Sequence, residues 1–468
     1  MPDARTWQVV AGSAALGLTL SFAAVAAAGP WESGQRTAER AAAASRGHQP
    51  DGRTAAVPRP PAPTEAAAPP AGRVLTAPAT DPGTLPTQQA LAARLAPLLR
   101  DPALGPLRTG AVIDAATGKL LFGSGAGTPS VPASTIKIAT AAAALSVLGP
   151  DHRISTTVLA AGEHSTVLVG GGDPTLTAAA LRTLADDTAR ALAARGTTAT
   201  SLGYDLSLYS GSVLHPIGRN ENIAPVTPLM TDEGRVDKSD HGPADRSPDP
   251  AADTATAFAK LLRARGIEVT GTPVRTSAAA SGSQLAVARS APLSALVERM
   301  LTNSDNDIAE ALARQTAIAA HLPASFGGAQ QAVTAALDRL GLPPAGAKFT
   351  DGSGLSRADA LSAQQLARLL ALAASPHHPQ LRPILTGLPV AGFSGTLSDR
   401  FRGGPASGAG LIRAKTGTLT GVNAITGTVV TADGRLLTFA FLAQGTTSAT
   451  AAQSALDRLA SALAACGC

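Results

Sequence analysis

A proline-rich tract limits which part of this chain can fold into a domain. Ten prolines lie between Pro50 and Pro86, interleaved with Ala, Thr and Arg and without apolar periodicity. Such a composition cannot bury enough apolar surface to offset the entropy of folding, and it favours extended, polyproline-like conformations. We therefore expect residues 32–87 to form a disordered linker, either a tether spanning on the order of 100 Å or a passive spacer.

The segment that precedes this linker predicts export. Val9–Ala28 is uncharged and follows Arg5, and its length of about 20 residues is enough to cross the hydrocarbon core of a membrane as a helix. Ala26-Ala27-Ala28 is also suitable as a small-residue cleavage site. We expect residues 1–31 to be either a signal peptide or an N-terminal membrane anchor. The protein is then extracytoplasmic, in the cell wall, at the outer face of the plasma membrane, or secreted.

The two ends of the remaining chain carry matching patterns of helix and strand. Helical periodicity marks Gln88–Arg100 and Ser448–Ala464, and strand patterns mark Thr109–Asp114, Leu120–Phe122, Ala424–Thr431 and Leu436–Ala443. Asp433-Gly434 separates the last two strands as a hairpin turn would. These patterns predict an α+β fold in which both ends contribute to one antiparallel sheet.

The region between these ends, residues 151–290, predicts an inserted accessory region of α/β type. Strand patterns mark Ile154–Leu159, Thr166–Gly170 and Thr200–Tyr209, and helical patterns mark Leu176–Arg195 and Asp253–Gly266, with a polar loop at Thr231–Pro250. We expect this insertion to have a small core of its own.

Charge and cysteine content exclude several classes of function. The chain has 38 Lys+Arg against 33 Asp+Glu and a net charge of +5, without a basic stripe, so nucleic acid is not an expected partner. The only cysteines, Cys466 and Cys468, form a terminal Cys-Gly-Cys that is either an ordinary tail or a local disulfide. His377-His378 is typical of a loop, so we expect neither a metal nor a cofactor.

A serine and a lysine lie three positions apart at the predicted start of a helix. Ser134 lies near the first turn of the helix, and the apolar run Ile136–Leu148 follows it and ends before Gly149-Pro150. Because Lys137 comes three positions after Ser134, both side chains emerge on one helix face. A buried lysine whose pKa is lowered toward neutrality can accept the proton of a serine hydroxyl. The helix N-terminus adds N–H groups where an oxyanion would develop. The pair predicts a serine nucleophile with a lysine base; an exposed Ser/Lys pair is the alternative.

A second motif, Ser304-Asp305-Asn306, lies between the helical stretches Leu293–Met300 and Ile308–Ala319. A hydroxyl and an amide two positions apart on a loop can face one cleft, where the hydroxyl relays a proton and the amide binds a substrate amide. In isolation the tripeptide is more typical of a helix N-cap, for which Asp and Asn are favoured.

A third motif, Lys415-Thr416-Gly417-Thr418, begins a predicted strand after Ile412. An edge strand beside a serine can pair with an extended peptide, and Gly417 permits close approach of backbones. Lys415 and the two threonine hydroxyls can hold a carboxylate. A surface turn is the alternative for such a tetrapeptide.

Together and in this order, the three motifs are the signature of the serine β-lactamase and penicillin-binding protein superfamily. The chain from about Leu91 to Ala464 resembles the D-alanyl-D-alanine carboxypeptidases/endopeptidases of the low-molecular-mass, class C penicillin-binding proteins. Three further segments support the resemblance: residues 168–174, 351–357 and 393–397. It implies a β-lactamase/transpeptidase-like catalytic domain, with an antiparallel sheet flanked by helices and an all-helical lobe, in residues 88–150 and 291–468. Residues 151–290 are the inserted accessory domain.

The resemblance implies acyl transfer on peptidoglycan stem peptides. Ser134 attacks the D-Ala-D-Ala bond while Lys137 takes its proton, and Ser304 relays that proton to the leaving D-alanine. Asn306 orients the acyl amide, and Lys415 sets the electrostatics around Ser304. An endopeptidase uses the same residues, so the sequence leaves the two activities open.

The resemblance also implies how the substrate is bound. Thr416 and Thr418, with Gly417 between them, hold the terminal carboxylate, and the N–H groups of Ser134 and Thr418 form the oxyanion hole. Arg357 meets an acidic substituent of the stem peptide, or else forms a structural ion pair. β-Lactam antibiotics acylate the same serine and act as covalent inhibitors.

Two other functions are alternatives. A β-lactamase needs a group that activates the deacylating water, but glutamate is absent after Glu310, and neither Tyr204 nor Tyr209 begins a Tyr-x-Asn element. This composition disfavours efficient β-lactam hydrolysis. A penicillin-binding sensor or wall-binding module without turnover is the second alternative, and the release of D-alanine from a peptide separates it from the enzyme.

Overall fold

The computed structural model describes residues 85–467 except 238, 279–281, 343–344 and 403–407. The predicted signal peptide or anchor of residues 1–31 lies outside the described residues, as does the linker apart from 85–87. Within the described part of the chain, no helix is both long and apolar enough to span a membrane.

Both ends of the described chain contribute strands to one antiparallel sheet, as the sequence predicts. Its strands are β1 (Leu107–Asp114), β2 (Leu120–Ser124), β8 (Ile412–Leu419), β9 (Val422–Val430) and β10 (Leu436–Gln444). Their order is β2-β1-β10-β9-β8, and β1 pairs with β10 from Leu107 opposite Gln444 to Asp114 opposite Leu437. The strand that carries the third motif, β8, is therefore an edge strand.

Helices cover both faces of this sheet. The N-terminal helix α1 (Gln88–Leu99) and the C-terminal helix α10 (Ala449–Ala464) pack on one face with a core that includes Leu95, Phe439 and Leu459. Both helices begin with a side-chain cap, from Thr87 and Ser448.

The other face packs against a helical lobe. Its helices are α2 (Lys137–Leu148), α5 (Leu293–Asn303), α6 (Asn306–Ala319), α7 (Phe326–Arg339), α8 (Ala363–Ala374) and α9 (Arg382–Gly387). Alanines from position 141 to 144 are all buried, which places α2 at the centre of this core. The α+β, β-lactamase/transpeptidase-like fold is confirmed.

Residues 151–290 form a second sheet with helices packed on it. The elements are β3 (Ser155–Gly162), β4 (Ser165–Val169), α3 (Ala178–Ala193), β5 (Ala199–Asp205), α4 (Pro250–Arg263), β6 (Glu268–Thr276) and β7 (Ser283–Arg289). The order is β6-β5-β4-β3-β7, with β4, β5 and β6 parallel. A separate cluster that includes Leu168, Leu184 and Phe258 is buried here. The division into two domains at these boundaries stays a prediction.

The sequence patterns did not predict β6 and β7. The strand predicted over Thr200–Tyr209 also ends later than β5, which ends at Asp205. Most side chains of β6 and β7 are exposed or half-exposed, so neither strand has the apolar alternation that marks a half-buried strand. At the C-terminus, Cys466 is buried and disulfide-bonded, whereas Cys468 lies outside the described residues.

A buried ion pair ties the β9–β10 turn to the end of β1. The Arg435 guanidinium donates to both carboxylate oxygens of Asp114, at 2.6 and 2.7 Å. Burial opposes ionisation of Asp114, but the hydrogen bonds from Arg435 and Thr117 outweigh it and lower the pKa of this carboxyl.

We expect Arg435→Met to lower the free energy of unfolding by about 3 kcal/mol, because it leaves the buried Asp114 carboxylate without its counter-charge. Chemical denaturation at pH 7 measures this change. Arg458→Met is the matched control, since the Arg458–Asp101 pair is half-exposed and its loss should cost less than about 1 kcal/mol. Equal decreases in the free energy of unfolding of Arg435→Met and Arg458→Met would contradict the stabilising role of the buried pair.

Candidate active site

Ser134 lies on a short turn that leads into α2. Residues Ala133–Ile136 form one turn of 3-10 helix, and Lys137 begins the α-helix directly after it. Two glycines allow neighbouring segments to approach this turn closely. A Cβ at Gly354 would lie 2.1 Å from the Ala133 carbonyl oxygen, and one at Gly417 would lie 2.7 Å from that of Pro132. The turn that carries Ser134 is therefore packed between β8 and the 351–357 segment.

The side-chain nitrogen of Lys137 is completely buried and contacts three oxygen atoms. Its Nζ lies 3.1 Å from Ser134 Oγ, 2.6 Å from Asn306 Oδ1 and 2.6 Å from the carbonyl oxygen of Ser353. A neutral amine has two N–H groups and one lone pair. The two shorter contacts are to pure acceptors and take both N–H groups, so the lone pair is directed at the hydroxyl of Ser134.

Burial makes the neutral form of Lys137 accessible. Removal from water lowers the pKa of Lys137 to about 8, and the nearby carboxylates of Asp351, Asp305, Glu310 and Asp307 oppose a larger decrease. A lysine with this pKa is a base that is partly deprotonated at neutral pH.

The Ser304-Asp305-Asn306 motif combines a cap with two groups that face the cleft. Asp305 is the N-cap of α6, where its side chain accepts from the backbone N–H of Ile308, so the N-cap alternative holds for this residue. Ser304 ends α5 in the left-handed conformation, with φ of 60°. The Asn306 amide donates to the Asn222 carbonyl at 2.9 Å, which directs its oxygen toward Lys137.

The third motif places its side chains alternately along the β8 edge. Lys415 is completely buried, and its amine donates to the Thr416 carbonyl at 2.8 Å. Burial, reinforced by the nearby Lys137, lowers the pKa of Lys415 well below its usual value. The Thr416 hydroxyl donates to Thr396 Oγ at 2.8 Å, and Thr418 accepts from the Gln453 amide at 3.4 Å.

Members of all three motifs line one cleft of about 390 Å³. Ser134, Ser304, Asn306, Thr416 and Thr418 all face it, and Lys137 and Lys415 are buried. The accessory region also contributes to the wall, through Asn222, Arg235, Gly242, Pro243 and Arg246. The volume is within the range of ordinary ligand sites.

Arg357 is not among the residues that line this cleft. Its side chain is exposed and donates to the Thr420 carbonyl at 2.6 Å, on the turn between β8 and β9. The structure thus gives Arg357 a backbone contact at the β8–β9 turn, and its contact with an acidic substituent of the stem peptide stays a prediction. Gly417 does not line the cleft either, but its contact with Pro132 agrees with the predicted close approach.

A buried cluster that the sequence patterns do not mark holds the Ser353 carbonyl in place. Asp351 accepts from the N–H groups of Ser353 and Gly354 and from His215 Nε2 at 2.8 Å. Glu310 accepts from the N–H of Ser353 at 3.0 Å. Because His215 Nδ1 accepts from a backbone N–H, the ring carries its proton on Nε2. A charged residue in a buried helix, one turn after Asn306, was the signal available for Glu310.

Comparisons with known proteins identify the family of this chain. The sequence matches the D-Ala-D-Ala carboxypeptidase 3 (S13) family over residues 91–244 and 237–465. It is 39% identical to a carboxypeptidase of Mycobacterium tuberculosis, over 87% of this chain and 90% of that protein. It is 31% identical to a D-alanyl-D-alanine carboxypeptidase of an Actinomadura species, over 72% of this chain and 78% of that protein.

A solved structure supports the fold independently. Penicillin-binding protein 4 of Haemophilus influenzae superposes with a TM-score of 0.67 at 22% identity, covering 80% of this chain and 98% of that one. The same protein in complex with a β-lactam superposes with a TM-score of 0.65 at 22% identity, covering 78% of this chain and 97% of that one. The chain belongs to the D-Ala-D-Ala carboxypeptidase 3 (S13) family, and it is a serine-type D-Ala-D-Ala carboxypeptidase.

Proposed function

We propose that this carboxypeptidase cleaves peptidoglycan stem peptides through an acyl-enzyme on Ser134. The observation that carries the proposal is the set of three contacts of Lys137 Nζ, which leaves its lone pair for the Ser134 hydroxyl. In the first step the Ser134 oxygen attacks the carbonyl of the penultimate D-alanine, and its proton passes to Lys137. The N–H groups of Ser134 and Thr418 hold the oxyanion.

Collapse of this intermediate requires a proton on the leaving nitrogen. Ser304 faces the cleft beside Asn306, the partner of Lys137, so its hydroxyl relays the proton from Lys137 to the departing D-alanine. Water then attacks the ester with Lys137 again as the base. Asn306 orients the acyl amide, and Lys415, whose pKa burial lowers well below its usual value, sets the electrostatics around Ser304.

We assign the terminal carboxylate to the hydroxyls of Thr416 and Thr418. β-Lactams are proposed as covalent inhibitors at Ser134, on the basis of the Haemophilus relative that was solved with one bound. Action on peptidoglycan places the protein outside the cytoplasm. Residues 1–31 serve there as a signal peptide or, if uncleaved, as a membrane anchor.

Incubation with a pentapeptide that ends in D-Ala-D-Ala tests the proposal. We expect stoichiometric release of free D-alanine, which a chiral amine assay measures. Covalent labelling by fluorescent penicillin without release of D-alanine would instead indicate a sensor. Rapid loss of the penicillin label with product formation would indicate a β-lactamase. Parallel digestion of cross-linked muropeptides measures endopeptidase activity.

The rate of acylation is expected to depend on pH with a midpoint near 8, because only the neutral form of Lys137 accepts the serine proton. Below the midpoint the second-order rate constant of labelling by fluorescent penicillin should fall about tenfold per pH unit, and above it the rate should level off. Glu310→Gln removes a carboxylate that raises the pKa of Lys137, so its profile should move to lower pH. A rate that is constant from pH 6 to 9 would contradict the role of Lys137.

A further inference from the structure

Arg400 lines the active-site cleft on the same side as the β8 threonines. It follows the Thr396 segment, and the cleft wall beside it is formed by Thr396, Thr416, Thr418 and Gln453. Arg400 Nη2 donates to the Gln453 carbonyl at 3.2 Å, and the Gln453 amide donates to Thr418 Oγ at 3.4 Å. Arg400 is thus linked through one residue to the threonine that we assign to the substrate carboxylate.

Two nitrogens of the Arg400 guanidinium, Nε and Nη2, are held by Asp457, and the third, Nη1, lies on the other side of the group. Nε and Nη2 both donate to the Asp457 carboxylate, a pair in which neither side chain is more than 18% exposed. Among the described residues, none accepts a hydrogen bond from Nη1. Asp457 does not line the cleft. The ion pair with Asp457, which lies outside the cleft, therefore orients Arg400 and leaves Nη1 to bind a ligand.

The other arginines of the cleft are placed differently. Arg235 donates to Glu233 and Ser239, and Arg246 donates to Asp307 and to the Ala244 carbonyl. Both belong to the accessory region, and their side chains are only 3% and 2% exposed. Arg400 is 13% exposed and lies beside the threonine hydroxyls.

The neighbouring lysine does not line the cleft. Lys415 is completely buried, its amine donates to the Thr416 carbonyl at 2.8 Å, and burial together with the nearby Lys137 lowers its pKa well below the usual value. A guanidinium stays protonated in such surroundings and binds carboxylates in a directed manner.

We propose that Arg400 determines specificity by binding, through Nη1, the α-carboxylate of the residue that leaves. The inference rests on the proposed function, because it places the leaving residue along Thr416 and Thr418. Arg400 thereby selects peptides with a free carboxylate on the carbon that bears the leaving nitrogen.

The test compares two peptides that differ only at this carboxylate, an acyl-D-Ala-D-Ala acid and its C-terminal amide. The ratio of kcat/KM for the acid to kcat/KM for the amide is measured in the wild-type chain, Arg400→Gln, Arg400→Lys and Arg402→Gln. Each ratio comes from one preparation, so the active fraction cancels. Arg402 is the matched control, because it lies in the same loop, outside the cleft, and pairs with Asp399 at the surface.

We expect the wild-type chain to prefer the acid and Arg400→Gln to lose about 10- to 100-fold of that preference, the value of one charge-assisted hydrogen bond. Arg400→Lys keeps the positive charge but lacks the planar set of guanidinium N–H groups, so it should lose less of the preference for the acid. Arg402→Gln should leave the ratio unchanged. An unchanged ratio in Arg400→Gln, or a wild-type chain without preference for the acid, overturns the inference.

A second readout separates this inference from the proposed function. Acylation by benzylpenicillin and by its methyl ester, each measured by competition with a fluorescent penicillin, reports on the carboxylate without turnover. If the wild-type chain releases no D-alanine, the proposed function fails. The acid-to-ester ratio then decides the role of Arg400 by the same criterion.

Discussion

Ser134→Ala is expected to abolish covalent labelling by fluorescent penicillin and to lower D-alanine release by at least about 10⁴-fold. The hydroxyl oxygen forms the ester bond of the acyl-enzyme, and a methyl group has no atom that can replace it. The side chain is half-exposed on a short turn, so the substitution should leave the fold intact. Denaturing gel electrophoresis after labelling and a D-alanine assay measure the two effects.

Ser146→Ala is the matched control for this variant. Ser146 lies on α2, the helix that follows the turn of Ser134, and its hydroxyl donates to the Ala143 carbonyl at 2.8 Å. We expect this variant to be labelled as the wild-type chain is. Retained labelling of Ser134→Ala, with an unfolding temperature equal to that of the wild-type chain, would refute the assignment of the nucleophile.

Lys137→Arg and Lys137→Met are expected to slow acylation by about 10²- to 10⁴-fold, the usual contribution of a general base. Arginine keeps a positive charge but does not lose its proton near neutral pH, so it cannot accept the proton of Ser134. Methionine fills the buried space but leaves Asn306 Oδ1 and the Ser353 carbonyl without their donor. Stopped-flow labelling under pseudo-first-order conditions gives the rate constant.

The two substitutions separate charge from basicity. If the positive charge of Lys137 were its only role, Lys137→Arg would acylate at nearly the wild-type rate and Lys137→Met would not. Lys348→Met is the control for the loss of a lysine, because Lys348 is exposed and does not line the cleft. Equal rates in Lys137→Arg and the wild-type chain would contradict the proposed base.

The three motifs proposed for catalysis could be found in the sequence because each depends on local spacing. A serine and a lysine three positions apart on a helix face the same side, and the structure shows them in contact at 3.1 Å. The strand pattern after Ile412 was also local, but the position of β8 at the edge of the sheet came only from the structure. The site residues that sequence analysis missed come from distant parts of the chain. Asn222 and His215 belong to the accessory region, yet they fix Asn306 and Asp351.

The role of Arg357 toward the substrate stays a prediction, because the direction of a long side chain depends on what surrounds it. Here the Thr420 carbonyl accepts its hydrogen bond outside the cleft. Arg400 had no motif to mark its role, and its orientation depends on Asp457 of the C-terminal helix, 57 positions away.

The sequence alone determined the order of the three catalytic motifs, the sheet built from both chain ends and the insertion between them. These features follow from periodicity and spacing, which are properties of short segments. Only the tertiary structure decided that Lys137 is removed from water, that three oxygen atoms surround its amine, and that Arg400 is held at the cleft. The pKa of a lysine and the direction of a guanidinium depend on removal from water and on partners brought together by packing, and neither is encoded in any one segment.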